Sequence, residues 1–319
     1  MKKQFTYILV GVISLLAISA CDKESHPPLR IVASPWPGYE PLYLARDLGY
    51  MDEDTVRLFE LPSLDVVLES FRINAVDVAA MTMDEAIGLV DDGYDIRVVL
   101  VTDISNGGDA VLASPKIQKA DDIRGAKISV VNVPVGFYVL DRFLEKNGIA
   151  RESVSVFPMP DTHQQVFYRE GKADLVVTYD PVKSHLMQDG MRTLFDSREM
   201  PDEIFDLLVI REAVYQERKP ELCTLVNAWF KSLVYMQEYP EDTEKRISQR
   251  LKIPQKNYPE VMSGVIFPSR EQVIGLMTNG GGLDKSWARL SDVMVRDGNI
   301  QSLTSMAGLS APEIVACQD

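Results

Sequence analysis

Between residues 29 and 211 two spacings of apolar residues alternate. Short apolar runs at 30–33, 56–61, 76–81 and 96–102 predict strands. Between them, apolar positions repeat every three or four residues at 39–48, 64–72 and 84–91, and these predict helices; Leu42, Ala45 and Leu48 share one face of the first. A second series follows the turn chemistry of Ser105-Asn106-Gly107-Gly108-Asp109. It reads strand 127–131, helix 136–147, strand 154–157, helix 161–171, strand 173–178, helix 181–189 and strand 192–195. Residues 205–210 form one more strand, expected to return to the first series. Beyond Arg211 no further strand is expected. Residues 221–238 form a long amphipathic helix carrying Leu222, Leu225, Trp229, Leu233 and Met236 at helical spacing, and more helices follow to the C-terminus.

Strands alternating with helices at this spacing imply βαβ units and largely parallel sheets. The fold class is α/β, in two lobes. Lobe 1 takes residues 29–104 and 204–319, the latter with the helical C-terminal coat; lobe 2 takes 105–203. The two crossings, at 103–111 and 197–205, describe a hinge. Ligands of open α/β sheets bind beyond the carboxyl ends of the strands. The cleft between the lobes is therefore the expected binding site.

The N-terminus changes the picture from a free domain to an anchored one. Lys2 and Lys3 precede an apolar stretch from about Tyr7 to Leu16, and small residues lead to Cys21. Residues 1–20 read as a secretory signal peptide, the apolar run being too short for a comfortable membrane span. LAISAC at 16–21 resembles a bacterial lipobox, which implies cleavage before Cys21 and its lipidation. Acyl chains would tether a soluble body, at about 0.8 kcal/mol per buried methylene. Residues 21–28 are the lipidated tether, polar and ending in Pro27 and Pro28. Asp22 beside the anchor resembles the inner-membrane retention signal of enteric-type lipoproteins. The expected location is thus the periplasm, anchored to the inner (cell) membrane.

Composition is that of a folded globular chain, 46% hydrophobic and 25% charged over 319 residues. Removing Lys2 and Lys3 takes the net charge from −14 to −16. Such acidity argues against nucleic acid as a partner. Besides Cys21 only Cys223 and Cys317 remain: either they pair in an oxidising compartment, or one stays buried on its helix and the other free near the C-terminus. The three histidines are dispersed and no metal spacing or cofactor motif is present, so no cofactor is expected.

Four blocks, in order and spacing, resemble periplasmic solute-binding proteins of the nitrate/sulfonate/taurine and pyrimidine-precursor type: SPWPGYEPLYLARDLGY at 34–50, VAAMTMDE at 78–85, GGDAVLA at 107–113 and GKADLVVTYDP at 171–181. The resemblance covers roughly residues 30–210. It implies a type 2 periplasmic-binding-protein fold, capture of a small-molecule ligand by hinge closure, and delivery to a membrane ABC permease. The alternative is a lipoprotein that reports occupancy to a membrane sensor such as a kinase or cyclase; a third is a degenerate member that binds a protein. A monomer is the default for this class. The sequence departs from the resemblance at Val133-Pro134-Val135-Gly136, where an oxyanion binder would be richer in Gly, Ser and Thr.

Candidate ligand residues follow from strand ends. Trp36 and Tyr39, in a loop stiffened by Pro35 and Pro37, either wall the pocket or pack beneath the loop; Glu40 follows them. Thr82 and Asp84 end the third strand and either cap the next helix or face the cleft. Gly108 and Asp109 sit at the first crossing. Gly136 and Phe137 open a lobe-2 helix whose free amides would take an anionic group. Tyr179 and Asp180 precede Pro181 and face Trp36 across the gap, Asp180 otherwise serving as an N-cap. The set is aromatic and acidic, which suits an amine, a zwitterion or a protonated heterocycle and suits nitrate poorly. The ligand class is nitrogenous, with a sulfonate as the other option.

Nothing points to an enzyme. There is no nucleophile elbow, P-loop, dinucleotide turn or His-Glu-x-x-His pair, and Gly280-Gly281-Gly282 follows a helical segment. Some distant relatives consume their own histidine to make a pyrimidine, but His163 and His185 have no cysteine cluster beside them.

Overall fold

The computed structural model describes residues 26–317. Residues 1–20, read from sequence as a signal peptide, and Cys21, read as the lipidated residue, lie outside the described residues. Ahead of the first strand, the Pro27 carbonyl accepts from Arg218 Nη2 at 2.9 Å.

Strand β1 (Leu29–Ala33) pairs in parallel with β2 (Val56–Glu60) and β3 (Val78–Thr82). The crossovers are helices α1 (Glu40–Asp47) and α2 (Leu64–Arg72), and α3 (Met83–Asp91) leads from β3 to β4 (Ile96–Ser105). Every residue of β3 is buried, as its unbroken apolar run requires of a strand covered on both faces. The returning strand β10 (Phe205–Arg211) inserts antiparallel between β3 and β4. The six-stranded sheet runs β11-β4-β10-β3-β1-β2.

The second sheet has five strands in the order β7-β6-β8-β5-β9. They are β5 (Asp109–Ala113), β6 (Lys127–Val131), β7 (Ser155–Met159), β8 (Leu175–Tyr179) and β9 (Arg192–Asp196), connected through α4 (Pro134–Lys146), α5 (Asp161–Arg169) and α6 (Val182–Gln188). β6 is parallel to β7 and β8, whereas β5 is antiparallel to β8 and β9.

Two expectations are corrected here. Strand β5 went unread, because its first residue doubles as the end of the turn. Strands do not stop at Arg211: the two-residue β11 (Val265–Ile266) pairs with the end of β4.

The C-terminal third forms α7 (Glu212–Glu217), α8 (Lys219–Glu238), α9 (Pro240–Leu251), α10 (Tyr258–Met262), α11 (Arg270–Met277), α12 (Gly282–Arg296) and α13 (Pro312–Ala316). Helix α8 lies on α1, α12 on α3, and α13 on α8 and β4, so the coat covers the first sheet. Trp229 and Trp287 are its fully buried anchors. Cys223 on α8 and Cys317 after α13 are joined by a disulfide, with Cα atoms 6.0 Å apart. The fold is the two-lobed α/β architecture of periplasmic binding proteins.

Candidate functional site

The carboxyl ends of β1, β3 and β4 point at those of β6 and β8, and the residues that follow them close on one another. After β1 the chain runs through Trp36 into a 3-10 turn at Pro37–Tyr39. Trp36 Nε1 donates to Asp103 Oδ1 at 3.2 Å near the end of β4, and the Thr102 hydroxyl donates to Oδ2 at 3.1 Å. The Tyr39 hydroxyl donates to Asp206. Asp206 on β10 is the register partner of both Thr82 on β3 and Asp103 on β4. Two carboxylates thus stand directly opposite each other in the sheet, an arrangement that is unfavourable when both are charged. Gly38 is required here, since a Cβ would overlap the Asp103 carboxylate and Trp36 Nε1.

The second lobe supplies Tyr179, at the end of β8, and its register partner Asp109, at the start of β5. The Tyr179 ring meets Trp36 edge to face, centroids 5.9 Å apart, and its hydroxyl lies 3.4 Å from Asp161 Oδ2. Trp36, Tyr39, Thr82, Asp109, Tyr179 and Asp206, with Leu64 and Val135, enclose a cavity of about 10 Å³, room for roughly one water. The lobes are closed on each other across it.

Several carboxyl groups are buried at or beside this cavity, and their proton affinities are raised. Burial lifts Asp103 and Asp109 each to about 7, against hydrogen bonds from Trp36 and Thr102 in one case and Ser105 in the other. Burial lifts Asp84 to about 6, and Glu85, with the charge of Asp84 beside it, to about 8. Asp206 is pushed well above the carboxylate range by burial and by Asp103. One buried lysine stands near: Lys183, which donates to the Gly107 carbonyl at 2.7 Å and lies 3.6 Å from Asp180. Among the described residues no cluster of His, Cys, Asp or Glu has a metal-holding arrangement.

Of the candidates read from sequence, Trp36, Tyr39, Thr82, Asp109 and Tyr179 line the cavity. Asp84 is buried beside it at the start of α3. Five others are placed elsewhere. Glu40 turns under α9 and pairs with Arg250, which also holds Glu60 and stacks over Tyr43. Gly108 lies beneath Trp36, where a Cβ would overlap the indole and meet the Gly264 carbonyl at 3.0 Å. Gly136 has its amide taken by the Val133 carbonyl at 3.0 Å, and a Cβ there would sit 2.5 Å from the Val131 carbonyl, so it serves close packing on β6. Phe137 lies in an outer groove with Asp141 and Arg296. Asp180 caps α6 by accepting from the Ser184 amide at 3.0 Å and hydroxyl at 2.6 Å. Sequence reading missed Asp103 and Asp206. Their one local mark is a carboxylate inside a largely apolar strand.

The family model described as "NMT1/THI5 like" matches residues 36–243. No curated protein matches the chain. Among solved structures, the alkanesulfonate-binding protein SsuA from Xanthomonas axonopodis pv. citri bound to MOPS superposes with a TM-score of 0.75 at 14% identity, covering 90% of this chain and 99% of that one. The ligand-binding component of an ABC-type import system from Staphylococcus aureus, with zinc bound, gives 0.76 at 11% identity, covering 91% and 98%. The desulfurization enzyme DszB gives 0.68 at 14% identity, covering 91% and 98%. At these identities the likeness is one of fold, and it is shared by binders and by an enzyme.

Proposed function

This chain belongs to the NMT1/THI5-like family, and from that premise we propose that it is a lipid-anchored solute-binding protein. It captures a small organic molecule, nitrogenous or sulfonate-type, by hinge closure and delivers it to an ABC importer. The observation that carries the reading is the meeting of Trp36 and Tyr179 from opposite lobes over a cavity lined by strand ends of both sheets. A clamp whose walls touch when nearly empty must part to admit a solute, and it favours closure by the solute's differential affinity for the closed form. Binding proteins of import systems on the same fold support the reading. The anchor rests on Cys21 and the lipobox-like run before it.

A catalytic role has less support. The cavity is lined by no cysteine or histidine. Cys223 and Cys317 are bound to each other, so neither offers a thiolate nucleophile.

The test is a thermal-shift screen of the purified protein after unfolding and refolding to strip any bound solute. The panel holds amines, amino acids, pyrimidines, sulfonates and inorganic anions. A ligand at 100 times its dissociation constant stabilises by about 2.7 kcal/mol, a shift of a few degrees at this size. A saturable shift with one class supports capture. No shift from correctly refolded protein counts against it and favours a protein partner.

A further inference from the structure

We propose that the cleft selects an organic cation, held by the carboxylates of Asp109 and Asp206 between the rings of Trp36 and Tyr179, and that it rejects sulfonates and other oxyanions. The inference rests on the capture reading above and narrows its ligand class.

Three observations point the same way. The first is the balance of charge. Asp84, Asp103, Asp109 and Asp206 are all more than nine-tenths buried, and among the described residues Lys183 is the one buried cation close to them. Lys183 is already engaged with the Gly107 carbonyl and with Asp180. A group of buried carboxylates without matching cations is costly unless it stays protonated or a cation enters.

The second is unsatisfied capacity. Beside the cavity, though not on its wall, Asp84 Oδ2 and Glu85 Oε1 are buried without a hydrogen-bond partner. These are acceptors, and a ligand with N–H donors is what satisfies acceptors. The surroundings also suit an organic cation rather than a metal ion: Trp36, Tyr39 and Tyr179 present aromatic surface, which attracts ammonium and amidinium groups. No metal-holding group of side chains occurs among the described residues.

The third is the lack of amides for an anion. A helix N-terminus facing a cleft is the ordinary place for an oxyanion. At the start of α4 that provision is spent. Pro134 has no N–H and the Gly136 amide is used by the Val133 carbonyl, while the Asp84 carboxyl is buried at the start of α3 in the other lobe. The protein's own carboxylate stands where an anionic ligand would place its charge.

The experiment compares matched pairs on the refolded full-length protein: C2–C6 alkyl, benzyl and phenethyl amines, each against the sulfonate of the same skeleton, by thermal shift and calorimetric titration. The expected result is binding of at least one amine with its paired sulfonate at least 100-fold weaker. In Asp109→Asn the amine should weaken at least tenfold while the sulfonate gains or stays unchanged. Should that variant fail to fold, Asp206→Asn takes its place, and the wild-type ratio decides by itself. A sulfonate that binds wild type as tightly as its amine overturns the inference and leaves capture standing. An amine whose affinity is unchanged in both variants overturns the placement of the cation. Silence from every pair, together with silence from the wider panel, overturns capture and this inference with it.

Discussion

Trp36 and Tyr179 come from different lobes and touch edge to face, their ring centroids 5.9 Å apart. The contact makes one indole answer to three partners: Tyr179 across the cleft, Asp103 at its Nε1, and the bare Cα of Gly108 beneath it. An aromatic pair of this geometry contributes about 0.5–1.5 kcal/mol beyond its buried area. The larger consequence is for Asp103, which is fully buried and takes one of its two side-chain hydrogen bonds from the indole. Trp36→Phe keeps an aromatic ring and removes the donor. It should destabilise the protein by about 1–3 kcal/mol, the cost of leaving a buried acceptor short of a partner. Urea unfolding of the two proteins measures it. An unchanged midpoint would mean that Asp103 is satisfied in some other way.

Stability should fall as pH rises from 5 to 8. The sign follows from the buried carboxyls. Asp103 and Asp109 titrate at about 7 in the folded protein, Asp84 at about 6 and Glu85 at about 8, in each case chiefly through burial. In the unfolded chain such groups titrate near 4. Between those values the folded state holds more protons than the unfolded state, so unfolding becomes easier with every increment of pH in that window. The dependence should continue past pH 8, because Glu85 is then only half titrated and Asp206 is held well above the carboxylate range by burial and by Asp103. Groups lowered in the fold act elsewhere: for Asp77 and Asp196 burial alone would raise the carboxyl, but Arg30 and Arg198 overcome it, and their stability is lost only as pH drops through the acid range. Urea midpoints at pH 5 and pH 8 give the slope, and Asp103→Asn should reduce it. A protein more stable at pH 8 than at pH 5 would contradict the protonated cluster.

The alternation of strands and helices was legible because each element is short and its apolar period clear, and because a strand buried on both faces, such as β3, is an unbroken apolar run. β5 escaped because Gly107 and Gly108 announce a turn, and nothing local tells that the ladder begins at the very next residue. β11 is two residues long, and no periodicity exists at that length. Within the site, strand ends located Trp36, Thr82, Asp109 and Tyr179. Asp103 and Asp206 were missed because their meaning depends on a pairing between strands about 100 positions apart. Glu40 lies away from the cavity through a pairing just as remote: its partner Arg250 arrives from α9, 210 positions along the chain. The glycines mislead in one consistent way. Gly108 and Gly136 do allow close approach, but what approaches is the protein itself, as the Trp36 indole and the Val131 carbonyl.

Gly108 therefore offers a probe of the Trp36 indole that changes no polar side chain. Its φ lies outside the left-handed region, so alanine is not excluded by backbone conformation. Alanine is excluded by space, because the new methyl overlaps the indole and presses on the Gly264 carbonyl at 3.0 Å. Gly108→Ala should push Trp36 toward Tyr179 at a cost of about 1–3 kcal/mol, as overpacking does. Ligand affinity should fall with it, since the ring cannot keep both its Asp103 bond and its place on the cavity wall. Near-UV circular dichroism, which reports the packing of Trp36, and the urea midpoint should change together. An unperturbed spectrum would show that the loop yields instead.

The disulfide isolates stability from binding. Cys223 on α8 and Cys317 beyond α13 close a span of 94 residues, and none of the cavity residues belongs to the elements they join. The bond restrains the unfolded chain and fastens the end of the coat to the helix that packs on α1. Removing it by Cys223→Ser together with Cys317→Ser should cost about 4–5 kcal/mol, as loop-closure entropy implies for a loop of this length. The cavity is lined by strand ends and by the turn before α1, none of it in α8 or α13, so ligand affinity should stay within about twofold, a change of less than roughly 0.5 kcal/mol. Urea unfolding and calorimetric titration of the same double variant read the two quantities side by side. A loss of affinity as large as the loss of stability would mean that the helical coat, and not the two sheets alone, sets the closed position of the lobes.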